Sequence, residues 1–189
     1  MLNEQIKSAT KQGHQDLEKH VVYRLKAIES PEDYAEVLKF FFAYFQALEV
    51  EIEKYLPESI KPYFSVRRNA ADIEKDIVAL GSSIKNLPQA HFPEIKNKNQ
   101  AIGALYVLEG SIMGGPYIVK MLQQRGIEKG FNFFQGYGES SGSKWTEFTG
   151  LINLEISERM DIQEAVQAAE ETFQQFTNTF KNNINASLS

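Results

Sequence analysis

Apolar residues recur at helical spacing along most of the chain, and the clearest example follows the segment SPED at 30–33. That segment combines an N-cap serine, a proline at the first helical position and an acidic third residue, which together mark the start of a helix. Behind it, apolar positions keep a spacing of three and four as far as Pro57: Tyr34, Leu38, Phe41, Phe45, Leu48 and Ile52. This pattern predicts one long helix with an aromatic face turned to the core.

Helix signals also cover most of the remaining sequence. They predict helices over residues 3–19, 70–80, 99–126 and 144–156, and a last helix from 161 onward. Segment 127–143 is rich in glycine and serine and predicts a loop with one extended stretch. Because no repeat, linker or low-complexity tract interrupts the pattern, we predict an all-α fold in which residues 1–189 form a single domain.

Two of these helices have specific start signals. Asn99 is the expected N-cap of the helix over 99–126, and Asp161 with Glu164 is the expected capping box of the last helix. In the last helix the apolar face is aromatic: Phe173, Phe176 and Phe180.

The helix predicted over 99–126 is unusual because its apolar interior, at 101–122, contains Gly110, Gly114 and Gly115. Each glycine inside a helix costs about 0.5 to 1 kcal/mol relative to alanine, so something must compensate for three of them. Tyr106, Gly110 and Gly114 recur every four residues and therefore form one stripe. Such a stripe lets the bare backbone approach a partner closely.

Two interpretations of this stripe remain open: a seam that packs against another helix, and a wall for a flat ligand. Gly114 and Gly115 are adjacent, which widens the bare patch beyond one narrow seam. Pro116 has no N–H to offer Ile112, so we expect a kink or a loosened turn at the glycines. Both features favour the ligand wall.

The first helix carries candidate ligand-binding groups on one face. Lys7, Lys11 and His14 are spaced by four and three, which places them within an arc of roughly 60° and spans about 10 Å along the axis. An imidazole can bind iron, and lysines can neutralise carboxylates at the edge of the same ligand. The alternative is an ordinary polar face with solvated lysines.

Composition narrows the classes of partner and location. The net charge of −5 leaves no broad basic surface of the kind that nucleic-acid binding needs. The absence of cysteine excludes disulfides and thiolate ligands and is compatible with a reducing cytosol. The sequence has no apolar leader, and its longest apolar run, at 40–45, is too short to span a membrane. We therefore predict a cytoplasmic protein that binds neither nucleic acid nor membrane.

Three separated segments resemble the heme oxygenases, especially the bacterial biliverdin-producing group. They are IKSATKQGHQDLE at 6–18, ALYVLEGSIMGG at 104–115 and FFQGYGESSGSKWTEF at 133–148. The resemblance implies a helical bundle in which heme is sandwiched between the first helix and the kinked, glycine-containing helix. The residues that it implies are His14 as proximal iron ligand, Gly110, Ser111, Gly114 and Gly115 as the distal catalytic wall, and Lys7, Lys11 and Tyr106 as propionate contacts.

The resemblance also implies a reaction. Heme b, at once cofactor and substrate, is opened at one meso carbon with O2 and electrons, which releases biliverdin, carbon monoxide and ferrous iron. The electrons come from an external donor protein such as a ferredoxin, a flavodoxin or a flavoprotein reductase. Nothing in the sequence demands more than a monomer.

Ser111 is a departure from the family pattern, because many members have aspartate after the first distal glycine. We expect Ser111, or waters held by nearby carbonyls, to organise proton delivery. The departure also keeps open a non-catalytic heme carrier or sensor on the same fold. A third alternative is another all-α enzyme, such as a thiaminase-like or quinone-cofactor-forming protein, although the lack of cysteine argues against a thiaminase nucleophile.

Overall fold

A computed structural model describes residues 1–182 of the chain, and residues 183–189 of the predicted domain lie outside the described residues. Over the described residues the fold is all-helical, without strands, as the sequence predicts. The helices are α1 Leu2–Ala9, α2 Lys11–Lys26, α3 Pro31–Glu53, α4 Lys61–Val66, α5 Ala70–Ala79, α6 Lys98–Gly110, α7 Gly115–Gln123, α8 Asn132–Gln135, α9 Ser141–Glu155 and α10 Arg159–Asn182. Short 3-10 turns, Ser111–Met113 and Gly138–Ser140, precede α7 and α9.

Helix α3 begins as the sequence predicts. The Ser30 hydroxyl accepts a hydrogen bond from the Asp33 N–H at 3.1 Å, and the Asp33 carboxylate accepts one from the Ser30 N–H at 3.0 Å. The predicted inner face is buried throughout, and Tyr34, Phe45 and Leu48 are fully shielded from solvent. The aromatic face of α10 is buried as well, and its Phe176 ring stacks on Tyr44 of α3 at 4.2 Å between centroids.

Helix α6 lies at the centre of the fold and contacts α3, α9 and α10. Helix α10 approaches it closely at Gly103, where an added Cβ would lie 2.1 Å from the carbonyl oxygen of Ala165. A side chain at that position would therefore push the two helices apart. The buried apolar residues of these helices form one cluster.

Four details of the sequence prediction are wrong. The opening helix breaks at Thr10 and continues to Lys26, well beyond residue 19. The N-cap of α6 is Asn97, whose side chain accepts from the Gln100 N–H at 3.0 Å, so the helix begins before Asn99. Segment 127–143 contains a short helix and a 3-10 turn and no extended stretch.

The fourth concerns the start of α10. This helix begins at Arg159, so Asp161 and Glu164 lie inside it and do not form its capping box. Their carboxylates instead accept hydrogen bonds from Asn99 at 3.0 Å each, and Glu164 also accepts one from Asn97 at 2.6 Å. These side chains tie the start of α6 to α10.

No single helix within residues 1–182 has both the length and the apolar composition needed to cross a membrane. The helices on the two sides of the bend, 98–113 and 115–123, meet those criteria only when taken together.

Candidate functional site

The glycine-containing helix is interrupted, as the sequence predicts. Helix α6 ends at Gly110, a 3-10 turn covers Ser111–Met113, and α7 starts at Gly115, with a bend of 43° between the two halves. Pro116 lies in the first turn of α7, where the missing N–H of proline costs nothing. The glycines and the proline thus produce a bend between the buried helix α6 and the partly exposed helix α7.

The three glycines have different surroundings. A Cβ at Gly114 would meet nothing within 4 Å, whereas one at Gly110 would touch the Trp145 ring at 3.5 Å. A Cβ at Gly115 would lie 1.9 Å from the carbonyl oxygen of Phe134, so this buried glycine lets α8 pack against α7. The open, side-chain-free surface is therefore at Gly114. The packing against α8 explains why residue 115 is a glycine. Its role at a ligand face stays a prediction.

The candidate iron ligand, His14, lies in the first turn of α2 and is exposed. Its ring meets Phe173 of α10 edge-on, with 5.8 Å between centroids. Lys7 and Lys11 are also exposed, and neither forms an ion pair within residues 1–182. Thr10 links the two helices, because its N–H donates to the Ile6 carbonyl at 2.9 Å and its own carbonyl accepts from the His14 N–H at 2.9 Å.

The first two helices lie against the bent helix. Tyr106 of α6 is buried, and its hydroxyl donates to the Asn3 carbonyl of α1 at 3.4 Å. The Asn3 N–H in turn donates to the Asn153 side chain of α9 at 3.0 Å. The Trp145 ring of α9 lies 5.1 Å from the Tyr106 ring, and α2 contacts α7 directly. Helices α1 and α2 thus lie against α6 and α7, the two halves of the bent helix.

Two surface depressions lie beside this region. The larger, of about 730 Å³, runs between α7 and the end of α2 and includes Lys26, Tyr117 and Arg125 in its lining. The smaller, of about 350 Å³, lies between α1 and α10. Neither is lined by His14, Gly110 or Gly114.

A charged network that the sequence analysis missed is buried beneath the bend. Glu109 is fully shielded from solvent, and its carboxylate accepts hydrogen bonds from Arg67 Nε, the Tyr63 hydroxyl and the Tyr137 hydroxyl, each at 2.7 Å. Arg67 also pairs with Glu49 at 2.6 Å. Glu109 itself could have indicated this network in the sequence, because a lone carboxylate within an apolar helix requires buried partners.

The network sets the protonation states of its members. Burial alone would raise the pKa of the Glu109 carboxyl, but Arg67 and the hydrogen bonds from Arg67, Tyr63 and Tyr137 hold that pKa below its ordinary value. Burial and the Glu109 charge raise the pKa of Tyr137 to about 12 and that of Tyr63 well above the usual range. At neutral pH the carboxylate is therefore ionised and both phenols are neutral.

Glu109→Gln is expected to lower the free energy of unfolding by about 3 kcal/mol, because it leaves the buried Arg67 charge with one partner fewer. The contribution of Glu109 is present above the ordinary glutamate pKa of about 4.3 and is lost as pH falls through the lower pKa of the folded state. Urea unfolding at pH 7 and at more acidic pH measures both effects. The matched control is Glu128→Gln at an exposed position, with an expected change within about 0.5 kcal/mol. A variant as stable as its control at pH 7 would contradict this account.

Ser111, the expected organiser of proton delivery, is connected to a second buried arginine. The Ser111 hydroxyl donates to the Leu108 carbonyl at 2.6 Å and accepts from the Arg68 guanidinium. Arg68 also donates to the Phe133 carbonyl at 2.9 Å, so one side chain joins the bend to α8. Sequence reasoning missed Arg68, because nothing local indicates that a charged residue just before a helix start is buried.

The same arrangement of helices occurs in solved bacterial structures. It matches the structure of the heme oxygenase from Neisseria meningitidis, solved with NO and CO bound, with a TM-score of 0.78 at 22% identity over 98% of this chain and 92% of that one. Heme oxygenase-1 from the cyanobacterium Synechocystis, solved in complex with heme, matches with a TM-score of 0.72 at 16% identity over 99% of this chain and 94% of that one.

Sequence comparison agrees with the fold. A heme oxygenase of Xanthomonas campestris pv. campestris is 23% identical over 145 residues, which are 76% of this chain and 86% of that protein. The profile of the heme oxygenase family matches residues 1–182. The chain belongs to the heme oxygenase family, and family and fold together support heme oxygenase activity rather than a non-catalytic carrier.

Proposed function

We propose that the protein holds heme between the His14 imidazole and the main chain at Gly110 and Gly114, and opens the ring at one meso carbon. The observation that carries this proposal is the open turn at Gly114, where the path from α6 to α7 bends and leaves its backbone without a covering side chain. A planar ring system needs such a surface, since a side chain there would keep the ring away from the backbone. The opposite wall is the helix with the exposed His14.

The remaining site residues fit the chemistry of heme. Its propionates are anionic, and Lys7 and Lys11 are cations that no carboxylate of residues 1–182 neutralises. Lys11 lies in the same helix as His14, and Lys7 lies in the last turn of α1, just before that helix. Their long side chains can extend to the edge of a ring bound at His14. Tyr106 is a third candidate propionate contact. Its hydroxyl already makes a long hydrogen bond of 3.4 Å to Asn3, which it would exchange for a propionate oxygen.

When bound, heme supplies an iron that binds and reduces O2 and a meso carbon that is oxidised; the products are biliverdin, carbon monoxide and ferrous iron. The protein orients the heme ring and delivers protons to its reacting face. Contacts with the propionates fix the rotation of the ring and therefore which meso carbon is opened. The bare wall at Gly114 leaves room for ordered water, which can pass protons to the reacting face.

The structure refines the expectation for Ser111. Its single hydroxyl hydrogen is engaged by the Leu108 carbonyl, so Ser111 acts toward a neighbouring water as an acceptor unless that bond breaks. It can hold a water in place, while the proton itself comes from the water. We propose further that the electrons come from a ferredoxin, a flavodoxin or a flavoprotein reductase, and that the protein acts as a cytoplasmic monomer.

Turnover of a stoichiometric hemin complex tests the proposed function. The purified protein is mixed with hemin, ascorbate is added in air, and the visible spectrum is followed with an iron(II) chelator present. We expect the Soret band to disappear and the absorbance of biliverdin to rise, with one iron(II) captured per heme. A Soret band that persists through repeated additions of reductant would indicate a carrier, and failure to acquire a Soret band at all would exclude heme as the ligand.

A further inference from the structure

Arg68 is a buried cation that forms no ion pair with the described residues. It is 4% exposed, and its guanidinium donates to the Phe133 carbonyl at 2.9 Å, the Leu108 carbonyl at 3.4 Å and the Ser111 hydroxyl, all of which are neutral. It also lies 4.0 Å above the centroid of the Phe133 ring. Within residues 1–182 the nearby Glu109 carboxylate pairs with Arg67 and not with Arg68. Its hydrogen-bond partners are therefore neutral, while the charges of Glu109, Arg67 and Glu49 act on it through space.

One hydrogen-bond donor of Arg68 has no partner within residues 1–182. Its Nε is buried and makes no hydrogen bond in the described part of the chain, although buried donors are nearly always satisfied. Burial lowers the pKa of Arg68 to about 10, so the group is still charged at neutral pH. The Arg68 backbone is anchored as well, because its N–H donates to the Tyr137 hydroxyl at 3.0 Å. It is therefore a fixed positive charge with unused donor capacity.

The position of this charge connects it to the proposed heme site. Leu108 and Ser111, which Arg68 contacts, bracket Gly110, and the open backbone at Gly114 follows one turn later. The Ser111 hydroxyl donates its hydrogen to the Leu108 carbonyl, and its oxygen accepts the hydrogen bond from Arg68. These two bonds together fix the orientation of the hydroxyl. The positive charge thus lies one hydrogen bond behind the wall that the proposed function assigns to the heme.

We propose that Arg68, acting through Ser111, is a positioning residue that makes the Gly110–Gly114 side of the heme site favour small anions over neutral ligands. The inference rests on the proposed function. The Arg68 charge offsets the negative charge of Glu109 behind the wall, and this lowers the free energy of any ligand that carries or gains negative charge there, as O2 does when it is reduced. A ligand that stays neutral responds far less, so the ratio of anion to neutral-ligand affinities reports on the Arg68 charge.

A purely structural role predicts a different pattern. Arg68 ties α6 to Phe133 of α8, so its loss could loosen the bend and weaken every ligand alike. Two probes separate the roles: fluoride, an anion, on the ferric heme complex, and carbon monoxide, a neutral ligand, on the ferrous complex. Both affinities are read from the visible spectrum without turnover.

The experiment uses the full chain loaded with hemin. The variants are Arg68→Gln, Arg68→Lys, Ser111→Ala and the double variant Arg68→Gln with Ser111→Ala. The control is Arg24→Gln, a half-buried arginine that donates to the Phe180 carbonyl at 3.0 Å away from the bend. Helical circular dichroism confirms folding, and hemin titration confirms heme uptake before the ligands are added.

We expect Arg68→Gln to weaken fluoride binding about tenfold, as for loss of a hydrogen bond to a charged group, while the carbon monoxide affinity stays within about twofold. Arg68→Lys should keep most of the fluoride affinity. Ser111→Ala should weaken fluoride binding about threefold, and the double variant should be no weaker than Arg68→Gln, because both residues act along one path. Arg24→Gln should match the wild type.

Equal losses for fluoride and carbon monoxide, or no loss for either, would overturn the inference and leave Arg68 as a packing residue. If Arg68→Gln does not fold, Ser111→Ala decides, and an unchanged ratio of the two affinities in that variant overturns the inference. Failure of the wild type to bind hemin is a separate outcome, which contradicts the proposed function itself.

Discussion

Replacing His14 with alanine is expected to lower turnover of the hemin complex by about a hundredfold or more. Loss of the partners that merely support a metal ligand already costs about 10- to 100-fold, and His14 is the proposed ligand itself. The fold should survive, because the side chain is exposed and its described contact is the edge of the Phe173 ring. We expect a fall of about 0.5 to 1 kcal/mol in the free energy of unfolding, the value of one aromatic pair. Absorption spectra and urea unfolding of the same preparation measure both effects.

His20 provides the matched control, since it is a second histidine of α2 and is partly buried. His20→Ala should bind hemin with the wild-type spectrum. Added imidazole should restore the spectrum of the His14→Ala complex, because a free imidazole can occupy the vacated position on the iron. Wild-type spectra in His14→Ala, or loss of the spectrum in His20→Ala alone, would place the ligand elsewhere.

Gly114→Leu is expected to weaken hemin binding at nearly unchanged stability, whereas Gly115→Ala is expected to lower the stability of the fold. Gly114 has helical backbone angles, φ −87° and ψ −14°, and open space around its Cβ position, so Gly114→Leu should change the free energy of unfolding by no more than about 0.5 kcal/mol. The leucine would occupy the surface assigned to the ring, and hemin affinity should fall at least about tenfold. Gly115→Ala places a Cβ 1.9 Å from a backbone oxygen, and stability should fall by about 3 kcal/mol.

Hemin titration and chemical unfolding on both variants decide this prediction. Gly114→Ala is the control for side-chain size, with normal stability and an effect on hemin affinity smaller than that of leucine. Normal hemin affinity in Gly114→Leu would remove Gly114 from the heme face. A stable Gly115→Ala protein would show that α8 can move away from α7 at little cost.

Local patterns were sufficient to predict most of the fold. The capping box at Ser30 and the apolar spacing of α3 depend only on near neighbours, and both are as the sequence indicates. The same is true of the bend, because adjacent glycines followed by Pro116 weaken a helix wherever they occur. The errors in the predicted helices are at their ends, where a polar side chain can hydrogen-bond either to its own helix or to a distant one. Asn99 could cap α6, but it binds Asp161 and Glu164 of α10 instead.

The candidate site was only partly predictable for the same reason. His14, Lys7 and Lys11 could be proposed because they share one helix face. Resemblance to a known family then gave them roles. Arg68 and Ser111 are separated by 43 residues in sequence, and their contact forms only when the segment before α5 packs against the turn after α6. The packing role of Gly115 likewise depends on Phe134, a residue from a segment predicted to be a loop.

A crystal structure of the hemin complex tests the central claim most directly, because it locates both faces of the ring at once. The account predicts the His14 imidazole within bonding distance of the iron, and the Gly110 and Gly114 backbone in van der Waals contact with the opposite face. A ring ligated by another histidine, or seated in the 730 Å³ depression beside Tyr117 and Arg125, would contradict it.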